Sequence, residues 1–304
     1  MHPSQSSEST APARAQRVRT IGVVANPAKA GARELIERIV RAAGPHDIEV
    51  CVESSVAQEL ALDVPVKDGC DFGCDCDIVI AAGGDGTILR TARLINDNPR
   101  PILGVNLGAL GFLADLAPER VEEGIAQIVN GRFTVERRMT LEARVAGSDL
   151  TFTALNDITI AKSNQSRIIS LEMYDAGNWV NTYVGDGLIL ATPTGSTGYA
   201  LAAGGPIVAP SADVIVAAPI CPHSLTVRPM VFTGSVVLDV RVIGTPESTI
   251  LLTADGQPSY PVESGQMVRV QKGAHEAQLV RLETSSYYDI LRHKLHWGLD
   301  KSLG

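Results

Sequence analysis

No apolar run in this chain reaches ten residues, so no segment is long enough to cross a bilayer as a helix. The first 17 residues are rich in Ser, Ala, Pro and Arg, with no apolar stretch leading to a cleavage pattern. They read as a disordered tail, not a signal peptide, and the expected location is cytoplasmic by default. Basic residues are outnumbered, 26 Lys and Arg against 34 Asp and Glu. The resulting net charge of −8 excludes a broad nucleic-acid surface, though not a nucleotide ligand, which needs only a few local cations and a metal. Cysteine is scarce and odd in number, five in all (Cys51, Cys70, Cys74, Cys76 and Cys221), which fits reduced thiols. The Cys70–Cys76 cluster lacks the paired C-x2-C spacing of a structural zinc site and has no matching Cys/His pair nearby, so it reads as a plain loop, with adventitious metal binding or redox chemistry as the alternative. Also missing are the G-x4-G-K-[ST] phosphate loop, the G-x-G-x-x-G fingerprint, the H-E-x-x-H zinc motif and the G-x-S-x-G elbow. A nucleotide enzyme with this sequence must work by another design.

What is present begins with length: 304 residues allow about two domains, each able to bury a core. The first half alternates strand and helix. Strands are expected at Val18–Ala25, Ile48–Glu53, Asp77–Ala82 and Pro101–Asn106. Leu35, Ile36, Ile39 and Val40 share one helical face, and Val121, Ile125, Ile128 and Val129 another, on a helix from Glu119 to Asn130. That alternation implies a parallel sheet covered by helices, from residue 18 to 133. After Arg132 the period changes from 3.6 to 2. Short β-branched segments, 134–145 and 151–160 among them, follow through 276–283. Hairpin turns fall at Asp175-Ala176-Gly177-Asn178 and Asp255-Gly256. The expectation is a β-sandwich over 134–284. The end is helical again: Tyr287, Leu291 and Leu295 are four apart on one face, so 285–304 is expected to return to the first domain.

The stretch Asp77 to Thr87 says most about chemistry. The β-branched run Ile78, Val79, Ile80 leads to Gly83, Gly84, Asp85, Gly86 and Thr87, and a helix-compatible segment follows to Ile95. A strand feeding a glycine turn at a helix start invites phosphate, because the backbone can approach an anion and free N–H groups point at it. An acid in that turn repels phosphate. Asp85 is therefore either a carboxylate placed to orient or deprotonate an attacking hydroxyl, with a metal offsetting its charge, or an ordinary N-cap residue. The segment Gly104 to Phe112 is a second glycine-dense turn at a strand's C-terminal end, the edge where open parallel sheets bind ligands.

In the second half, Thr194, Ser196 and Thr197 lie among glycines with no charged neighbour, and Tyr199 offers a ring for a base. That insert reads either as a sugar and phosphate site or as a polar loop opening a short helix. Asn156 and Asp157 interrupt the apolar stretch Phe152–Ile160. They read either as a nucleoside-recognising pair, an amide for an adenine edge and a carboxylate for a ribose diol, or as a strand edge facing water. Asp186, between Gly185 and Gly187, is open to the same two readings. Arg90 and Arg167 are candidate phosphate partners, while His223 and His275 are assigned no catalytic role.

In this order the pieces resemble the NAD kinase family. Gly83-Gly84-Asp85-Gly86-Thr87 is similar to its signature turn, and Gly104 to Gly108 with Gly111-Phe112-Leu113 to its second glycine segment. Leu155-Asn156-Asp157-Ile158 resembles its Asn-acid motif. Asp186 to Ile189 leading into Thr192–Tyr199 and Ala203–Pro206 resembles its long third motif. Arg228-Pro229-Met230 and Lys294 to Gly298 also fit, so the likeness covers roughly residues 20–298. The Gly-Gly-Asp-Gly turn alone also occurs in lipid kinases and phosphofructokinases; the ordered set is specific. The resemblance implies an α/β domain plus a β-sandwich with the active site between them, and transfer of the ATP γ-phosphoryl group to the 2′-hydroxyl of the adenosine ribose of NAD.

Carried over by position, Asp85 is the implied proton acceptor. Asp85, Gly86, Arg90, Asn156, Asp157, Arg167, Asp186, Thr197, Gly198, Tyr199, Ala200, Leu201, Ala202 and Gln257 are the implied NAD contacts. Gly83, Gly84, Thr87 and Ser196 are expected on the phosphates of ATP. The family further implies a divalent metal, Mg2+, travelling with ATP, and a homodimer or homotetramer; no protein metal ligand is expected. Asp157 stands where many bacterial members have Glu, and Gly198 where Ala is usual. The Cys70–Cys76 cluster has no counterpart there. Two rivals are a non-catalytic NAD(P)-binding sensor and a diacylglycerol- or sphingosine-type lipid kinase, the latter leaving Asn156 and Asp157 unexplained.

Overall fold

The computed structural model describes residues 17–108, 111–163, 168–244, 249–257, 259–282 and 287–297. In chain order the first half contains β1 (Thr20–Ala25), α1 (Ala32–Ala43), β2 (Glu49–Glu53), α2 (Ser54–Glu59) and β3 (Val66–Lys67). It continues with α3 (Phe72–Asp75), β4 (Ile78–Gly83), α4 (Asp85–Leu94), β5 (Pro101–Asn106), α5 (Val121–Val129) and β6 (Thr134–Arg138). The second half holds β7 (Leu141–Val145), β8 (Thr151–Ala154), β9 (Asp157–Lys162), β10 (Ile169–Asp175), β11 (Asn178–Gly185) and β12 (Gly187–Ala191). Then come α6 (Tyr199–Ala202), β13 (Val214–Ile220), β14 (Met230–Thr233), β15 (Val237–Ile243), β16 (Ile250–Ala254) and β17 (Ser259–Val262). β18 (Met267–Lys272), β19 (Ala277–Arg281) and α7 (Tyr287–Leu295) close the chain.

The first sheet runs β3-β2-β1-β4-β5-β19-β6. Its central strands are buried on both faces, so they read as continuous apolar runs without alternation. Ile21, Val23, Ile78 and Ile80 face α1 and α5, while Val24, Val79 and Ala81 face the cluster of Ile88 and Ala92 on α4. The chain runs outward from β1 to β2 on one side and from β4 to β5 on the other, so the strand order reverses between β1 and β4. A parallel sheet opens a crevice at the carboxyl ends of strands flanking such a reversal. Two six-stranded antiparallel sheets, β11-β10-β15-β18-β7-β8 and β14-β13-β12-β9-β16-β17, face each other over one apolar core.

Several segments differ from the sequence reading. The stretch 134–145 breaks at Met139-Thr140, and β6 joins the first sheet instead of the sandwich. β19 does likewise, pairing parallel with β5 and antiparallel with β6. The boundary drawn at 133/134 therefore does not follow the sheets: alternation gives a strand's exposure and not the sheet that recruits it. The stretch 151–160 also breaks, at Leu155-Asn156, where the chain leaves one sandwich sheet for the other. Asn156 and Asp157 thus stand at a crossover, not within one strand. The Cys70–Cys76 segment is a 3-10 turn followed by α3, with Cys76 buried. Its Sγ lies 3.6 Å from that of Cys51. The bare backbone of Gly22 leaves room for this pair: a Cβ there would stand 3.1 Å from the Cys76 sulfur.

Candidate active site

Ala25 and Asn26 at the end of β1 and Gly84, Gly86, Thr87 and Arg90 around the start of α4 line a cavity of about 540 Å³, together with Lys29 and Glu59. This is the crevice at the strand-order reversal. A Cβ at Gly84 or Gly86 would meet nothing within 4 Å, so their backbone faces open space. Gly83, by contrast, is buried, its carbonyl accepts from the Leu107 N–H at 2.6 Å, and a Cβ there would overlap the Thr87 side chain. Thr87 is itself buried. Arg90 makes a bidentate ion pair with the buried Glu53, which holds it on the wall of this cavity.

Asp85 begins α4 and points toward the second glycine segment. Its two oxygens accept the backbone N–H of Phe112 at 2.8 Å and of Leu113 at 3.1 Å. A Cβ at Gly111 would overlap the Asp85 carboxylate, so the two glycine segments meet because neither carries a side chain there. Two donors leave a carboxylate with spare lone pairs for a hydroxyl or a metal.

A second group of candidate residues is built around the crossover. Asp157 is buried and accepts from the Thr159 hydroxyl at 3.2 Å. Burial first, and then the nearby Asp255 carboxylate, push its carboxyl up to about 6. Asn156 has a buried Oδ1 with no partner, an orphaned acceptor of the sort a ligand satisfies. The Thr192–Tyr199 loop is pressed onto this turn: Thr192 N–H donates to the Asn156 carbonyl at 2.8 Å, and a Cβ at Gly195 would overlap that carbonyl. Tyr199 is about half exposed; partial burial first, and then Cys221, Asp157 and Asp186 nearby, raise the pKa of its phenol. Asp186 pairs with Lys162 at 2.9 Å.

Some expected contacts have other duties. Ser196, expected on phosphate, is fully buried; its hydroxyl donates to the Pro193 carbonyl at 2.7 Å and accepts from Val208 N–H at 3.0 Å. It is an internal tie of the loop. Thr194 accepts from the buried Arg138 at 3.3 Å, and Thr192 donates to the Leu155 carbonyl at 2.6 Å. The Thr192 hydroxyl thus ties the loop to the crossover while the others brace the loop itself, and of the three first singled out only Thr197 is partly exposed. Ala200 packs with Ile189, Ala191 and Val216, which turns its side chain inward; Leu201 and Ala202 remain accessible beside it. Gln257 is exposed, and its carbonyl accepts from Arg93 of α4 at 3.3 Å. Arg167 lies outside the described residues.

Two features join the halves. Ile88, one turn after Asp85, shares an apolar cluster with Leu155, the neighbour of Asn156. Arg93, on the same helix as Asp85, reaches the β16–β17 hairpin. Sequence reasoning missed Arg93 and Asp255. The carboxylate of Asp255 accepts three backbone N–H groups from residues 155–157, but an Asp-Gly pair between strands is fully accounted for as a turn. Among the described residues no three His, Cys, Asp or Glu side chains gather as a metal site, and no helix is long and apolar enough to cross a membrane.

Residues 21–133 match the ATP-NAD kinase N-terminal domain and residues 155–282 the ATP-NAD kinase C-terminal domain. An NAD kinase of Thermoanaerobacter sp. (strain X514) is 38% identical over 281 residues, covering 91% of this chain and 99% of that one. An NAD kinase of Natranaerobius thermophilus is 36% identical, covering 92% and 99%. Among solved structures, an NAD kinase from Archaeoglobus fulgidus in complex with ATP superposes with a TM-score of 0.74 at 26% identity, covering 91% of this chain and 98% of that one. Yeast NADH kinase complexed with NADH has the same fold, with a TM-score of 0.87 at 24% identity over 95% and 90% of the two chains. With both halves of its length matched in order, and this identity sustained from end to end of its relatives, the chain belongs to the ATP-NAD kinase family.

Proposed function

We propose that the protein phosphorylates NAD at the 2′-hydroxyl of its adenosine ribose, with ATP as donor, giving NADP and ADP. The carrying observation is a carboxylate-bearing glycine turn at the sheet's reversal point, joined through one apolar cluster to an Asn-Asp turn with a buried carboxylate and a buried, orphaned amide oxygen. ATP lies with its phosphates along the open backbone of Gly84, where the N-terminus of α4 and Lys29 favour negative charge. Mg2+ would come with the donor, held by the ATP phosphates and its own waters; of this chain's residues, Asp85, with lone pairs left over from its two amide donors, would be the one to hold it, a role the sequence reading leaves unassigned. When bound, it neutralises charge on the triphosphate.

NAD occupies the other side. Asn156 hydrogen-bonds the adenine edge, Asp157 accepts from a ribose diol, and Thr197 to Ala202 with Tyr199 flank the nucleoside. A ribose hydroxyl is a weak acid and a carboxylate a weak base, but a loose phosphoryl-transfer transition state asks for little nucleophilic push. Asp85, anchored by two backbone amides, chiefly aims the hydroxyl and takes its proton late. Apolar side chains exposed along the edge strands β11 and β14 (Trp179, Val184, Met230, Val231) support assembly into a homodimer or homotetramer. The unpaired cysteines support a cytoplasmic setting.

The deciding assay is NADP formation from NAD, ATP and Mg2+ by the purified chain. NAD binding without turnover would instead make it a sensor, and turnover on a diacylglycerol alone would make it a lipid kinase.

A further inference from the structure

Where the chain crosses from β8 to β9 it leaves one sheet before joining the other. Backbone N–H groups in such a gap need another acceptor. Here all three are met by one carboxylate: Asp255 accepts from Asn156 at 2.7 Å and Asp157 at 3.2 Å through Oδ1, and from Leu155 at 3.0 Å through Oδ2. The Asp255 N–H returns a bond to the Asp157 carbonyl at 2.9 Å, closing a ring between hairpin and crossover. Burial acts on this carboxyl to raise its pKa, and the three amides act to lower it. The same hairpin is tied to α4 through Arg93, whose charge also acts on Asp255.

A plain turn explains part of this. Asp255 has φ 51° and Gly256 φ 73°, the left-handed pair that an Asp-Gly or Asn-Gly hairpin turn adopts. The turn alone does not distinguish Asp from Asn. The crossover does. An amide at residue 255 could keep the two N–H groups on Oδ1, but its NH2 would face the Leu155 N–H, donor against donor.

We infer that Asp255 is a positioning residue for NAD: its carboxylate fixes the Leu155–Asp157 crossover and so presents the Asn156 amide and the Asp157 carboxylate to the acceptor. This deepens the NAD kinase reading and rests on it. Asp255 itself touches no substrate.

The test is Asp255→Asn in the full-length chain, with steady-state kinetics in both substrates and amide hydrogen exchange without ligand. Hydrogen bonds to a charged group are worth enough for the KM for NAD to rise roughly 10- to 100-fold, while the KM for ATP stays within about twofold. Exchange at residues 155–157 should speed up while that of β4 and β5 does not. Because Asp255 acts through Asn156 and Asp157, Asp255→Asn should raise the KM for NAD less in the Asp157→Ala background than in wild type, the remainder passing through Asn156. If Asp255→Asn folds poorly, Asp255→Glu keeps the charge at the wrong reach and should show the same split. An unchanged KM for NAD, equal losses toward both substrates, or multiplying effects in the double variant would each overturn the assignment. If wild-type chain formed no NADP, the function reading would fail separately, and the exchange experiment would still report whether Asp255 holds the crossover.

Discussion

The two sides of the proposed site, donor and acceptor, are made of different material. The donor side is backbone: Gly84 faces open space, and the carboxylate it carries is held by main-chain amides of the neighbouring loop. The proposed acceptor side relies on side chains: Asp157 is withdrawn from water, Asn156 keeps a buried, unpartnered oxygen, and the Thr192 hydroxyl ties the neighbouring loop to the Leu155 carbonyl. Phosphate is a compact charge that a row of N–H groups can hold without a shaped pocket. A nucleoside has edges that only correctly aimed polar groups distinguish, and aiming them inside a protein means burying them. Damage to the donor side should therefore appear in turnover, and damage to the acceptor side in NAD recognition.

The largest effect is expected from Asp85→Asn, which removes a positioned base while keeping its shape. kcat should fall by about 10²–10⁴-fold with the KM for NAD nearly unchanged. Near-normal turnover in a folded variant would remove Asp85 from the chemistry. Next comes the helix that follows the sandwich. Ile290 and Leu291 of α7 are buried, and Lys294 sits 5.8 Å over the ring of Phe112, in the loop whose amides hold Asp85. Deleting residues 287–304 strips two apolar side chains worth about 1.5–3 kcal/mol each. The melting temperature and the rate should fall together, with the loss in kcat at least tenfold; a truncated chain that keeps both would make α7 dispensable.

Asp157→Ala is expected to act on one side only, raising the KM for NAD by roughly tenfold or more through a lost charged hydrogen bond. Kinetics in which the KM for ATP rises instead would reverse the assignment of the two sides. The smallest effect is in pH. With its carboxyl pushed up to about 6, Asp157 is mostly protonated at pH 5 and mostly ionised at pH 7. The KM for NAD should accordingly rise by about tenfold between pH 7 and pH 5. The stability sign is opposite. A carboxyl raised from 3.8 to about 6 contributes stability that is present below 3.8 and lost as pH rises through 6. Asp157→Asn should therefore be more stable than wild type at pH 7, by at most about 3 kcal/mol, and the gain should vanish near pH 4. Chemical denaturation at the two pH values measures it.

Most sandwich strands are legible in the sequence, but β17 carries no such signal, 134–145 and 151–160 each run two strands together, and 134–138 and 277–281 complete the first sheet instead. Period 2 reports that one face is buried, and an edge strand of an α/β sheet satisfies it as well as a sandwich strand. Ser196 and Ala200 stood inside a recognisable motif, and the motif could not tell a hydroxyl that faces ligand from one that ties a loop. Arg93 and Asp255 carried no signal, because a lone Arg on a helix and an Asp-Gly turn are ordinary features.

From residues 77–87 the sequence alone determined a strand, a glycine turn and a helix in that order, with one carboxylate at the turn. That information is local: β-branched residues, missing side chains and a helix start act within a dozen residues of one another. Tertiary structure decided what Asp85 rests on, that Asn156 and Asp157 stand at a sheet crossover, and that Asp255 holds them from 98 or more residues away. Those choices depend on which buried N–H groups lack a ladder partner once the sheets have formed, and no single stretch of chain contains both the donor and the acceptor that answers it.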